Sequence, residues 1–201
     1  MNYLAHLLLA GDDEGLRLGA FLGDFVRGRQ AVAEYPPQVA HGILLHRHID
    51  AFTDAMPAVG ALRAWFPAPF RRYGGIIIDL AFDHELAKRW GEYSSDAIET
   101  FDRDVRALLA RHEGMVPDRL RRFMAYADRR GLFAAYSDPE EIIHSLSGIG
   151  RRLTRPNPLH RVASIWGDFE PRVEESFESV FGVVQSDVAD WLKSTSTTTG
   201  S

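Results

Sequence analysis

Apolar residues recur along the chain mostly at the three- and four-residue spacing of amphipathic helices. Leu4, Leu7 and Leu8 follow this spacing, and so do the apolar positions between residues 16 and 25. Strict alternation of apolar and polar residues, which marks a half-buried strand, is never sustained, and the β-branched run 76–78 is short. The pattern therefore predicts an all-α chain folded as a single-domain helical bundle.

Proline, glycine and capping residues divide the later chain into predicted helices. These helices cover 37–54, 59–66, 76–90, 97–111, 117–130, 138–153 and 159–193, the last with an interruption near Gly182. Asp138 and Pro139 form a helix start, with aspartate as the N-cap and proline in the first position. In the helix 37–54 the apolar side is predicted to comprise Val39, Ile43, Leu44 and Ile49.

No linker divides the chain, so residues 1–193 are expected to form one domain. The Ser-, Thr- and Gly-rich tail 194–201 has too few apolar residues to pack and is predicted to be disordered. No apolar run approaches the roughly 20 residues of a membrane span, and no basic flank precedes the apolar start. These features predict a cytoplasmic protein that does not bind a membrane. They indicate no particular oligomeric state.

Composition narrows the chemistry that the chain could perform. The 201 residues include no cysteine, which excludes disulfides, thiolate metal sites and a cysteine nucleophile. A metal ion would therefore have nitrogen and oxygen ligands. The formal net charge of −5 argues against nucleic acid as the main partner. No GxxxxGK phosphate loop is present, so a P-loop is excluded.

Histidine and aspartate are concentrated in a few short segments. His46, Asp50 and Asp54 lie at successive i, i+4 positions of one predicted helix and therefore share a face. Asp79 and Asp83 have the same spacing on the helix 76–90. The other candidates are His84, directly after Asp83, and His6 and Asp24 upstream.

Asp24 and Asp79 stand among strongly apolar neighbours, where an isolated carboxylate would be costly to bury. Buried carboxylates usually have a compensating partner, and histidines with a divalent cation would supply one. A simpler interpretation stays open, in which the charged faces are solvated and His6 is an ordinary core histidine. That interpretation describes a non-catalytic helical binding protein.

Taken together, these blocks resemble the bacterial acyl carrier protein phosphodiesterase family. The resemblance rests on residues 1–7, 24–28, 46–54 and 79–84, and it extends to about Lys193. The family is similar to the HD-domain phosphohydrolases, which implies an HD-domain-like helical fold. Its members are described as manganese-dependent hydrolases that remove the 4′-phosphopantetheine arm from holo acyl carrier protein. The resemblance thus implies a role in fatty acid biosynthesis, with acyl carrier protein as the partner.

The resemblance also implies roles for the candidate residues. The expected metal ligands are His46, Asp50, Asp79 and Asp83, and the expected acid–base groups are His84, Asp24 and His6. Either Asp24 or His6 could complete the metal site. The expected metal is Mn²⁺, with Mg²⁺, Fe²⁺ and Zn²⁺ as alternatives. Arg27 and Arg47 are expected to bind phosphate, although both could be ordinary surface arginines.

An acidic carrier protein would need a local basic patch on this acidic chain. The candidate clusters are Arg63, Arg71–Arg72, Arg119 with Arg121–Arg122, Arg129–Arg130, and Arg151–Arg152 with Arg155. Any one of them could instead be a solvated helix face. The alternative function is an HD-type phosphohydrolase acting on a nucleotide or another small phosphoester.

Overall fold

The protein is described here by a computed structural model that covers residues 1–118, 120–121 and 133–196. Every regular element in these ranges is helical, which confirms the all-α prediction there. The helices are α1 (Tyr3–Leu9), α2 (Glu14–Leu22), α3 (Arg29–Val32), α4 (Pro37–Ala55), α5 (Pro57–Trp65), α6 (Gly74–Lys88), α7 (Trp90–Tyr93), α8 (Ile98–Arg111), α9 (Pro139–Arg152) and α10 (Ala163–Ser196). Most of the predicted helix 117–130 lies outside the described residues.

Short 3₁₀ turns join several helices, at Phe70–Tyr73, Glu113–Met115, Ala134–Ser137 and Leu159–Arg161. The predicted starts at Pro37 and Asp138 are confirmed. Pro37 opens α4, and the Asp138 side chain accepts a hydrogen bond from the Glu140 backbone N–H. Proline has no backbone N–H, and the N–H groups of the first helical turn have no partner within the helix. Proline therefore suits these starts.

Two details of the helix prediction were wrong. Leu44 is exposed, whereas Val39, Ile43 and Ile49 are buried, because position 44 lies on the opposite side of α4. The predicted interruption at Gly182 is absent, since α10 runs unbroken from Ala163 to Ser196.

The continuity of α10 follows from its buried side chains. Gly182 is exposed, and the cost of a helical glycine, about 1 kcal/mol, is small beside the burial of its neighbours. Phe177, Phe181 and Val184 are all fully buried around it. Residues 194–196 of the predicted tail extend this helix, and residues 197–201 lie outside the described residues.

Aromatic rings join α6 to α10 within the core. Phe82 of α6 contacts Phe177 of α10 at a ring-centroid distance of 5.9 Å, and Phe177 stacks on Phe181 at 5.3 Å. Residues 77–87 of α6 are almost all buried, which explains the lack of a polar face on this helix. Within the described residues, no helix has the length and apolarity that a membrane crossing requires.

Helices α2 and α4 cross at unusually close range because glycines line their contact. Gly15, Gly19 and Gly23 are four residues apart and lie along one side of α2 and its C-terminal end. A Cβ atom on Gly19 would lie 2.1 Å from the Val39 carbonyl oxygen, and one on Gly42 would lie 2.2 Å from the Leu16 carbonyl oxygen. The two backbones therefore touch directly, and this contact positions the candidate site.

Candidate metal centre

Two histidines and two aspartates from different helices meet at one point. His6 Nε2 lies 3.0 Å from Asp50 Oδ1, and His46 Nε2 lies 3.3 Å from Asp50 Oδ2. Asp24 Oδ1 is 3.4 Å from His46 Nε2, and the two imidazole rings stack with centroids 3.9 Å apart. One ligand atom from each of His6, His46 and Asp50 fits within a 4.8 Å span, as a shared metal ion requires. Helices α1 and α4 and the end of α2 thus supply one candidate metal centre.

The orientation of His46 is fixed by its other ring nitrogen. Nδ1 lies 2.8 Å from the Ala20 carbonyl oxygen, which can only accept, so Nδ1 carries the proton. Nε2 therefore points at Asp24 and Asp50, where it would bind a cation once its own proton is released. A Cβ atom on Gly23 would lie 2.2 Å from His46 Cγ, so only glycine leaves room for this ring.

The charges in the cluster favour a cation. Burial, reinforced by neighbouring His46, lowers the pKa of His6 to about 4, so this ring is neutral. Its Nε2 also lies 3.2 Å from the Met1 carbonyl oxygen, so Nε2 carries the ring proton here, and binding a cation there would place that proton on Nδ1. Burial also opposes protonation of His46, but hydrogen bonds to Asp24 and Asp50 outweigh it and raise the pKa of His46 to about 9. For Asp50 the two histidines overcome the effect of burial, and its pKa falls well below the usual range. The carboxylates thus attract a positive charge onto His46, where a metal ion would displace the proton.

Access to the centre comes from the carboxylate side. His6 and His46 are buried, whereas the side chains of Asp24 and Asp50 are 51% and 44% exposed. A ligand arriving from solvent would therefore meet the carboxylates before the imidazoles.

Asp79 and Asp83 of α6 face the beginning of the chain. The amino group of Met1 lies 2.9 Å from Asp79 Oδ1. Asp83 accepts backbone N–H hydrogen bonds from Leu4 at 2.8 Å, Ala5 at 3.2 Å and Asn2 at 3.3 Å. Both oxygens of Asp83 are engaged with the first turn of α1, so this carboxylate caps the helix that carries His6. Burial raises the pKa of Asp83 to about 7, and the Leu4 N–H bond is the largest opposing effect.

Replacing Asp83 with alanine should lower the free energy of unfolding by about 3 kcal/mol or more. The change leaves three buried or partly buried N–H groups of α1 without their acceptor, and each such group costs about 1–3 kcal/mol. Urea denaturation followed by circular dichroism measures the loss, with exposed Asp190→Ala on α10 as the matched control. A variant with normal stability and no bound metal would instead identify Asp83 as a metal ligand.

His84 lies in a second cluster rather than with His46. Its Nδ1 donates to the Tyr136 carbonyl oxygen at 2.6 Å, and its Nε2 is 3.0 Å from Glu170 Oε1. Glu85 completes this group, and its Oε1 accepts from Lys88 at 2.9 Å. No sequence pattern indicated Glu170, because it lies 86 positions from His84 on an ordinary amphipathic helix.

The two predicted phosphate-binding arginines have different surroundings. Arg47 donates from Nη2 to the carbonyl oxygens of Val26, at 2.8 Å, and Gly28, at 3.4 Å. It thereby holds the loop that follows Asp24. Arg27, in that loop, is exposed and forms no ion pair with any described residue, so it is free to meet an anion.

His48, which was not assigned as a ligand, points away from the metal centre. Its Nε2 lies 2.5 Å from Asp187 Oδ2, and its ring stacks on Trp191 with centroids 5.3 Å apart. The contact joins α4 to α10, so His48 links two helices of the bundle.

A family model and several similar proteins all carry the same description. A family model described as acyl carrier protein phosphodiesterase matches residues 1–184. A protein of that name from Serratia proteamaculans is 36% identical over 170 residues, which are 84% of each chain. A protein of the same name from Yersinia enterocolitica is 31% identical over 194 residues, which are 94% of this chain and 98% of that protein. Another from Salmonella agona is 35% identical over 184 residues, which are 88% of this chain and 92% of that protein. No solved structure matches.

Proposed function

The chain belongs to the acyl carrier protein phosphodiesterase family, and we propose that it removes the 4′-phosphopantetheine arm from holo acyl carrier protein by metal-dependent hydrolysis. The chain is therefore an enzyme, a phosphoric diester hydrolase. The observation that carries the proposal is the convergence of His6, His46 and Asp50 within 4.8 Å. Such a set of imidazole and carboxylate donors is typical of hydrolytic metal centres.

We assign His6, His46 and Asp50 as the residues that hold a divalent ion, with Mn²⁺ as the proposed metal. Their donors fit such an ion, because His6 is neutral and can hold its proton on Nδ1, and because the Ala20 carbonyl oxygen keeps a proton on His46 Nδ1 when a cation replaces the one on Nε2. A bound divalent ion would activate water and neutralise negative charge on the phosphodiester. Asp79 and Asp83 as further ligands stay predictions, as does His84 as an acid–base group.

The protein's own residues would then direct the reaction. Asp24, half-exposed beside His46, is placed to accept a proton from the attacking water. Arg27 would pair with a non-bridging phosphate oxygen through its planar guanidinium, while Arg47 holds the loop that carries it. Water adds to phosphorus, and the bond from phosphorus to the serine oxygen breaks. The serine oxygen takes a proton, giving apo carrier protein and free 4′-phosphopantetheine.

The alternative substrate class is a nucleotide or another small phosphoester, as in HD-domain phosphohydrolases. The proposed relation to that fold rests on the sequence resemblance and the helical architecture. The names of the relatives favour the carrier protein as substrate.

The direct test is incubation of purified holo acyl carrier protein with the enzyme, with and without Mn²⁺. We expect mass spectrometry to show loss of the phosphopantetheine mass only when the metal is present, and EDTA should stop the reaction. If the folded, metal-loaded enzyme leaves the holo protein intact but hydrolyses a nucleotide or small diester, the alternative function is correct.

A further inference from the structure

Acidic residues are absent from two long segments of this acidic chain. The protein has 28 aspartates and glutamates against 23 lysines and arginines, yet none of the acids lies between Asp54 and Asp79 or between Glu141 and Asp168. The arginines of these two segments are Arg63, Arg71, Arg72, Arg151, Arg152, Arg155 and Arg161. Positive charge is therefore concentrated where no neighbour in sequence neutralises it.

The fold brings the two segments together. Tyr73, at the end of the 3₁₀ turn that carries Arg71 and Arg72, donates a hydrogen bond to the Pro156 carbonyl oxygen at 3.1 Å. Pro156 directly follows Arg155 in the loop after α9, and α9 also packs on α6. The turn and the loop thus form one continuous face of the molecule.

The arginines of this face are available to a partner. Arg71, Arg72, Arg151, Arg152 and Arg155 are exposed, and none forms an ion pair with a carboxylate among the residues that the structure describes. Arg71 and Arg151 donate only to the Phe66 carbonyl oxygen and the Ser147 hydroxyl. We call these five residues the arginine surface.

Arg103, Arg111 and Arg121 differ in this respect, because a carboxylate lies beside each of them. Arg111 on α8 lies 3.2 Å from Glu14, and Arg103 lies 3.5 Å from Asp104. Arg121 is paired with Asp118. The predicted cluster at Arg129–Arg130 lies outside the described residues. Within the described residues, the arginine surface thus gathers five arginines without ion pairs, whereas Arg103, Arg111 and Arg121 are each paired with a carboxylate.

A chain of contacts connects the arginine surface to the metal centre. Arg63 Nη2 lies 2.7 Å from Asp54, which is one helical turn beyond Asp50 on α4. The same guanidinium lies beside Gly75, where an added Cβ would be 3.4 Å from Nη2. Gly75 follows the Arg71–Arg72 turn at the start of α6, one turn before Asp79. These contacts lead from the turn of Arg71 and Arg72, through Arg63, to the end of α4 one turn beyond Asp50.

We propose that the arginine surface docks the anionic carrier protein and so delivers its phosphodiester to the metal centre. The inference rests on the proposed function, which makes a protein the bearer of the scissile bond. An acidic protein is repelled by the net charge of −5 and attracted only where positive charge is local and unpaired. Binding at this face would leave the phosphodiester next to the exposed carboxylates of Asp24 and Asp50.

Two charge-reversal variants test the surface, Arg71→Glu/Arg72→Glu and Arg151→Glu/Arg152→Glu. The matched control is Arg103→Glu/Arg111→Glu on α8, which makes the same change in net charge. Fluorescence anisotropy with labelled apo carrier protein gives the dissociation constant independently of turnover. Steady-state hydrolysis of holo carrier protein gives KM and kcat, and bound manganese per chain reports whether the metal centre is intact.

We expect each surface variant to raise the dissociation constant and KM by about tenfold or more, because rim charges steer and hold a charged partner. The control should stay within about twofold of wild type, and kcat and bound manganese should be unchanged in all variants. The wild-type kcat/KM should also fall with added salt, and less steeply in the surface variants.

Surface variants that bind carrier protein as tightly as the control would overturn the proposal. So would single-stranded RNA of equal charge that competes equally well for the same arginines, because the surface would then recognise any polyanion. If wild type binds apo carrier protein through this surface but leaves the holo protein intact, the proposed function fails while the docking surface stands.

Discussion

Replacing Asp50 with alanine should lower kcat for holo acyl carrier protein by about 10³-fold or more and remove the bound metal. Asp50 is the residue that joins the two histidines, with one oxygen 3.0 Å from His6 and the other 3.3 Å from His46. Metal-ion catalysis contributes several kcal/mol, and each 1.36 kcal/mol corresponds to a tenfold change in rate. Steady-state hydrolysis at saturating substrate and Mn²⁺ gives kcat, and elemental analysis gives the metal content.

Asp54→Ala is the matched control for this experiment. Asp54 lies one turn further along the same face of α4, but it is exposed and paired with Arg63 rather than with a histidine. Its loss should leave metal content unchanged and kcat within about threefold of wild type, since surface ion pairs contribute little. Near-normal turnover and metal content in Asp50→Ala would remove Asp50 from the centre.

Replacing Gly19 with alanine should destabilise the fold by about 1–3 kcal/mol or more, although alanine is the better helix former by about 1 kcal/mol. The new methyl group would lie 2.1 Å from the Val39 carbonyl oxygen and 2.7 Å from the Gly42 Cα atom. Both are backbone atoms of α4, so the helices themselves must separate. Urea denaturation of the two proteins measures the difference.

Gly182→Ala is expected to change the free energy of unfolding in the opposite direction to Gly19→Ala. Gly182 lies inside α10, is exposed, and has no atom within 4 Å of an added Cβ. Alanine should therefore raise the free energy of unfolding by up to about 1 kcal/mol. If Gly19→Ala also stabilised the protein, the close crossing of α2 and α4 would be incorrect.

The sequence predicted parts of the candidate site that depend on local spacing. His46 and Asp50 are four residues apart on one helix, so their proximity follows from helical geometry alone. His6 reaches them only because α1 is anchored to α6 through Asp83, 78 positions away from Ala5. No periodicity encodes that contact, and the resemblance alone placed His6 near the site.

Asp83 shows why apolar surroundings do not identify the partner of a carboxylate. The sequence indicated burial and a need for compensation at Asp24 and Asp79, whereas Asp83 is the aspartate that is fully buried and Asp24 and Asp79 keep 51% and 39% of their side chains exposed. The partners of Asp83 are backbone N–H groups of α1, and every helix start offers such donors whatever its sequence. A side-chain pattern therefore cannot distinguish a capping carboxylate from a metal ligand.

The helix boundaries show a related limit. Proline fixes a helix start locally, so Pro37 and Pro139 were placed correctly. The continuity of α10 depends on Phe177, Phe181 and other side chains packed against distant helices. Local propensity at Gly182 could not reveal that stabilisation.

The glycines of α2 have a consequence for transplanting this chemistry into another bundle. Gly23 leaves room for the imidazole of His46, and the next residue along the chain, Asp24, reaches the same ring. A designer who copied only His6, His46, Asp50 and Asp24 onto helices at ordinary separation would lose the Ala20 carbonyl that orients His46. The whole crossing of α2 and α4 must therefore be transferred together. Its sequence pattern is three glycines at four-residue intervals followed directly by aspartate.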